Sequence, residues 1–129
     1  MSEAVEKEVL ALNQRLLESI ANADWKTYEE LVDPTLTCFE PEALGQLVEG
    51  LPFHKFYFQL GAAKAGHSTT MASPHVRVLG DVAILAYVRL NQRLTAEGPK
   101  VSGIEETRVW QKQSGKWKHV HFHRAPLGH

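Results

Sequence analysis

Three arginines, Arg89, Arg108 and Arg124, stand among apolar residues in stretches that read as β-strands. Around the last two, IEETRVWQKQSGKWKHVHFHR (104–124) has the form of two strands joined at Gln113-Ser114-Gly115-Lys116, where the glycine gives the backbone freedom of a hairpin turn. Side chains alternate between the two faces of a strand. Arg108 then shares a face with Ile104 and Trp110, Arg124 with Val120 and Phe122, and Arg89 with Leu85 and Tyr87. A guanidinium keeps its proton in a protein, so a buried one needs an anionic or hydrogen-bonding partner. The fold can supply it through Glu105, Glu106 or Glu40, which would make the arginines structural. A ligand can supply it as a small carboxylate or an acidic peptide end, gripped by bidentate guanidinium contacts.

Other residue types capable of chemistry point less far. His119, His121 and His123 alternate along one strand, which places all three on the face opposite Val120 and Phe122, the outer surface of the sheet. Imidazole suits zinc or copper, but same-face neighbours on one strand are spread too far for three to reach one ion. No metal and no cofactor is expected. Cys38, beside Phe39, reads as a small core residue with no base paired to it. Glu40 and Glu42 flank Pro41 in a turn and are expected to be solvated.

The elements that must position these residues follow in order. Val5, Val9, Leu12, Leu16 and Ile20 recur at spacings of three and four and predict a helix over 3–22, with Ser2 able to cap it and Glu3 and Glu6 at the positive end of its dipole. Asn22-Ala23-Asp24 breaks it. Asp24 can cap a second helix through Trp25, Tyr28 and Leu31, which Asp33-Pro34 ends. Leu36–Phe39 reads as a short strand, and 40–50 as a connection without a clean period. Pro52 opens a third helix whose apolar face would be Phe53, Phe56, Tyr57 and Leu60, ending at Gly61–Gly66. Strands then follow at 67–79 and 82–94 around a Gly80-Asp81 turn, with Pro74 marking an edge strand or a bulge, and a turn at Glu97-Gly98-Pro99 leads into the hairpin. Helices first and antiparallel strands after is an α+β pattern: a curved sheet with a long helix packed on it. The strand 82–94 is apolar on both faces, Ile84, Ala86, Val88 and Leu90 on one and Leu85 and Tyr87 on the other. One helix covers one face, so the other points to an oligomer.

Composition sets the bounds. The 129 residues suit one domain, 1–129, with 43% hydrophobic and 22% charged residues, the balance of a folded globular protein. A net charge of -1 gives no basic field for nucleic acid or an anionic membrane. The start MSEAVEKEVL is acidic and lacks the form of a signal peptide, no apolar run approaches a membrane span, and a lone cysteine fits a reducing compartment, so a cytoplasmic protein is expected.

Long segments carry a resemblance. CFEPEALGQLVEGLPFHKFYF (38–58), SPHVRVLGDVAILAYVRLNQ (73–92), EETRVWQKQSGKWKHVHFHR (105–124) and the tail APLGH closely resemble the association, or hub, domain of calcium/calmodulin-dependent protein kinase II, and NADWKTYEELVDPTLTCFEPEAL is similar to its second-helix region. The resemblance implies the cone of the nuclear-transport-factor-2-like superfamily: a strongly curved antiparallel sheet wrapped around a long N-terminal helix and enclosing a pocket. It also implies dimers assembled into two stacked rings, about 12–14 subunits or more, that gather kinase domains and raise their local concentration. Arg89, Arg108 and Arg124 match the arginines that line the hub pocket, Tyr28 and His54 match positions at the same pocket, and the outer histidine face matches the region of subunit contacts.

Two departures accompany it. The kinase domain, calmodulin-binding segment and linker are missing, and no glycine-rich loop, HRD or DFG is present, so no phosphotransfer is expected and a free-standing hub is favoured. QLGAAKAG (59–66) offers only small residues where the family often has a longer loop with an aromatic beside the pocket. The leading function is a non-catalytic oligomerisation module. The alternatives are a small cone-fold enzyme of isomerase or dehydratase type acting on an anion, for which His54 is the one plausible base, or a regulatory partner co-assembling with kinase subunits.

Overall fold

A computed structural model describes residues 2–61 and 67–127. The predicted first helix is α1, Ser2–Ala21; the Ser2 side chain lies outside the described part. Val9, Leu16 and Leu17 are fully buried from it, with Val5, Leu12 and Ile20 packed at the margin. The apolar stripe omits one residue that is equally buried, Asn13. Its Nδ2 donates to the Tyr87 hydroxyl at 2.9 Å, and its Oδ1 accepts from Trp110 Nε1 at 2.9 Å, so a polar bolt fixes the helix to the sheet.

Asp24 caps α2, Trp25–Leu31, through the Thr27 amide and hydroxyl, as its position before the apolar residues predicts. The chain turns extended at once into β1, Val32–Phe39, four residues earlier than the sequence suggests. Pro34 is accommodated because pairing with the neighbouring strand skips from Val32 to Thr37, so its missing amide is not asked for. A 3-10 turn at Pro41–Ala43 and a two-residue strand β2, Val48–Glu49, lead to α3, Pro52–Phe58. Here the expected apolar face holds only at Phe53, which packs against the core. Phe56, Tyr57 and Leu60 are exposed, whereas His54 is buried and Phe58 packs on the core, its ring centroid 4.7 Å from that of Tyr28 and 5.1 Å from that of Trp25. His54 and Phe58 stand four apart and define the buried face; the aromatic cluster of α2 sets it.

The rest is strand: β3, His67–Leu79; β4, Val82–Thr95; β5, Gly98–Gln113; and β6, Lys116–Pro126. The curved sheet runs β2-β1-β6-β5-β4-β3, antiparallel except where β1 lies parallel to β6. Pro74 sits on the edge strand and within an irregularity between Ala72 and His75, so both expectations for it hold. At the β5–β6 turn Ser114 and Gly115 have φ of 51° and 83°, the paired left-handed conformation of a tight hairpin. Residues 62–66, most of the segment where a pocket lid is in question, lie outside the described residues.

β6 departs from its simple alternation. Val109 pairs with His121 and Trp110 with His119, so Val120 is the extra residue of a bulge. The bulge reverses the phase below it. His119 points inward and is fully buried, while His121 and His123 remain on the outer face and Val120 leaves the face of Arg124. The expectation of three histidines on one outer face is therefore corrected to two.

Candidate functional site

The inward positions of β4 and β5 bring Arg89, Tyr87, Glu106 and Arg108 together, because Tyr87 pairs with Glu106 across the ladder and each arginine lies two residues along its strand. The Glu106 side chain is wholly buried. Its Oε1 accepts from the Tyr87 hydroxyl at 2.6 Å and from Arg108 Nε at 3.1 Å, and its Oε2 from Arg89 Nη1 at 3.4 Å. Arg89 Nε donates to Thr69 Oγ1 at 3.1 Å. Burial pushes the Glu106 carboxyl up, but the Arg108 and Arg89 charges and these hydrogen bonds outweigh it and hold it at about 2. Burial raises the Tyr87 phenol to about 12.

Arg124 belongs to a second centre, built from separate elements. Glu40, at the end of β1, accepts through Oε1 from Arg124 Nη2 at 3.2 Å, and through Oε2 from His54 Nε2 at 2.8 Å. The expectation that Glu40 is solvated is corrected: only 9% of it is exposed, because Arg124 and His54 supply what water would. Glu42, at the rim, is the exposed one and takes a further bond from Arg124 Nη2. Burial raises the Glu40 carboxyl, and the His54 hydrogen bond, His54 and Arg124 overcome that and lower it. Cys38 is a core residue as its type suggests, yet a base stands beside it, since its Sγ lies 3.4 Å from His54 Nε2 and donates to Glu40 Oε2 at 3.3 Å. Burial, reinforced by the Glu40 charge, pushes the thiol up, which keeps it protonated and unreactive.

All five residues singled out in the sequence thus face the interior, but Arg89 and Arg108 gather around Glu106, Arg124 and His54 around Glu40, and Tyr28 bonds to neither carboxylate. Tyr28 is held by rings, stacked on Trp25 at 5.5 Å and tilted to His54 at 6.1 Å. Glu105 points outward and is exposed, leaving Glu106 and Glu40 as the internal counter-ions. Two atoms of these site residues are buried without a partner among the described residues, His54 Nδ1 and Arg108 Nη1, and the Arg108 guanidinium lies 4.3 Å from the Phe122 ring centroid. Alternation could have marked Asn13 and His119 only with knowledge of the helix docking and of the bulge.

A long helix against a curved sheet with polar side chains on the concave side is the nuclear-transport-factor-2-like architecture. The chain superposes with a TM-score of 0.79 on a superfamily protein of that name from Salmonella enterica at 20% identity, over 100% of this chain and 95% of that one. Within that class the family is specific. Residues 5–128 match the calcium/calmodulin dependent protein kinase II association domain, and the chain belongs to that family. The structure of the Chlamydomonas reinhardtii CaMKII hub homology domain is 48% identical with a TM-score of 0.89, covering 96% of this chain and 99% of that one. The delta subunit of calcium/calmodulin-dependent protein kinase type II from Oryctolagus cuniculus is 46% identical over 126 residues, 95% of this chain. The chain spans only 24% of that relative's length. No described helix is long and apolar enough to cross a membrane.

Proposed function

We propose that this chain is a non-catalytic assembly module whose copies pair as dimers and close into two stacked rings, of about 12–14 subunits or more. The observation that carries this is the outer side of β4 in a chain of the hub family. Ala83, Leu85, Tyr87 and Arg89 are buried inward, while Ile84, Val88 and Leu90 are only half-covered and Ala86 is exposed. No element of the described chain lies over that face, and a second copy would cover it. His121 and His123 lie on the same side, with Thr37 Oγ1 2.7 Å from His121 Nδ1. A charge gained at this face on acidification would oppose assembly, and size-exclusion profiles at mildly acid and neutral pH would show the loss of mass. Native mass spectrometry of the unmodified protein is the direct test. A ring-sized mass is expected, Val88→Glu should reduce it without unfolding the chain, and a monomer or simple dimer from the unmodified protein would sink the reading.

Two finer features belong to the same proposal. The rabbit relative is a kinase subunit, so the module co-assembles with kinase subunits in the cytoplasm and dilutes their catalytic domains; co-purification with such a subunit tests this. The interior around Arg89, Arg108, Arg124, His54 and Tyr28 accepts a small carboxylate or an acidic peptide end. The unpartnered Arg108 Nη1 supports it, a buried donor with unmet demand among the described residues. A small carboxylate should raise the melting temperature, with the effect lost in Arg108→Ala, and no shift in either protein counts against the site.

A further inference from the structure

Cys38, Glu40 and His54 present three different ligand atoms to one point from three parts of the chain: β1, the residue before the 3-10 turn, and α3. Sγ and the Glu40 Oε2 atom are 3.3 Å apart, Sγ and the His54 Nε2 atom 3.4 Å, and Nε2 and Oε2 2.8 Å. All three residues are buried. A tetrahedral zinc ion with ordinary bond lengths holds sulfur, nitrogen and oxygen ligands roughly 3.3–3.6 Å from one another. The two distances from the sulfur already match, and only the imidazole and carboxylate must part, by about half an ångström. Sulfur, nitrogen and oxygen in one set also suit zinc better than magnesium or calcium, which take oxygen alone. We propose that this triad is a binding site for a thiophilic divalent cation, with zinc the fitting ion and a water as the fourth ligand.

The surrounding charges allow it. Two arginines come near, yet each has its own carboxylate: Arg108 has Glu106, and Arg124 has Glu42 together with the other oxygen of Glu40. Oε1 and Oε2 of Glu40 therefore have separate tasks, and Oε2 can be given to a cation while Oε1 stays on Arg124, an outer contact that orients the ligand. On binding, the thiol proton leaves to solvent and the imidazole coordinates through Nε2 with its proton on Nδ1. A thiolate and a carboxylate then balance the two charges of the ion, with no change of oxidation state. The ion would staple α3 to β1, where a histidine–glutamate bond now does so.

Cobalt(II) reads the site directly, because a thiolate ligand gives a near-ultraviolet charge-transfer band and a tetrahedral field gives intense visible bands. Titration of chelator-treated, fully assembled protein should show both bands at one equivalent per chain, bleached by zinc. Cys38→Ser should lose the near-ultraviolet band, and Glu40→Gln should weaken binding ten-fold or more. Zinc should raise the melting temperature of the unmodified protein and not that of Cys38→Ser. Absence of the charge-transfer band at saturation, its persistence in Cys38→Ser, or a zinc stabilisation unchanged in both variants, as exposed histidines would give, overturns the site. Should Cys38→Ser fail to fold by circular dichroism, the band's presence or absence in the unmodified protein and in Glu40→Gln still decides. Assembly mass is measured separately, so failure of this site and failure of the hub reading remain distinguishable.

Discussion

Glu106 and Glu40 are both buried carboxylates set against arginine, but neighbouring strands deliver one and three separate elements deliver the other. Around Glu106 every partner lies one or two steps away on the β4–β5 ladder, so strand register alone fixes the geometry. Around Glu40 the partners come from α3 and from β6, with Arg124 lying 84 residues along the chain. The first centre is closed, its carboxylate fully enclosed and each oxygen taken by a cation. The second is graded from inside to outside, from Cys38 through Glu40 to Glu42 at the rim. The difference teaches where rigidity and adaptability sit: the ladder centre holds the sheet, and the composite centre can exchange partners.

Three carboxylates of decreasing burial turn that contrast into measurements. Glu106→Gln leaves two arginines buried beside a neutral group and should cost about 3–5 kcal/mol in denaturant unfolding. A loss near zero would mean that water reaches the arginines. Glu40→Gln keeps an acceptor for His54 and leaves Arg124, 18% exposed, with Glu42, so about 1–3 kcal/mol is expected from the same measurement. A cost equal to that of Glu106 would show that the composite centre is as closed as the ladder. Acid titration separates a third element. Burial, aided by the Arg108 charge, pushes the His119 imidazole well below its ordinary 6.5, so the unfolded chain binds a proton that the folded one refuses. Its contribution is complete above pH 6.5 and lost as pH falls from there, with a slope of up to about 1.4 kcal/mol per pH unit. The depressed carboxyls act lower, Glu106 losing its contribution as pH falls from 4.5 through about 2. His119→Phe should flatten the stability curve between 6.5 and 4.5 while leaving the deeper acid limb, and an unchanged upper limb would place the proton elsewhere. Glu42→Gln should be the smallest change, below about 1 kcal/mol, because Glu42 is the most exposed of the three, at 37%.

The pattern of what was legible follows the same division. Alternation and helical spacing predicted the α+β order, the hairpins, the Asp24 cap and the Pro74 irregularity, because each is a local consequence of a few adjacent residues. Alternation also placed Arg108 and Arg89 inward, and Glu106 was available as their counter-ion. What escaped depended on contacts between distant segments. Glu40 was named among the possible counter-ions yet also expected to be solvated in a turn, because Arg124 and His54, which bury it, are remote in sequence. The face of α3 was only partly assigned, at Phe53, because four of its residues are large and aromatic, and only the docking onto Tyr28 and Trp25 chooses among them. His119 was misplaced by one residue's worth of bulge. A strand period is exact only while the ladder is unbroken.

The parallel pairing of β1 with β6 has a consequence in time. The antiparallel strands β3 to β6 form successive hairpins, which need only short loops to close. β1 can enter the sheet only after β6 has been made and aligned, since Thr37, Cys38 and Phe39 pair with His121, Phe122 and His123. A ribosome-bound chain lacking that last strand could already seat α1 on β3 to β5 through Asn13 but would leave β1 with nowhere to dock, and the contact between Glu40 and Arg124 would be among the final events of folding. Completion of the composite centre is thus a signal that the whole sheet has closed.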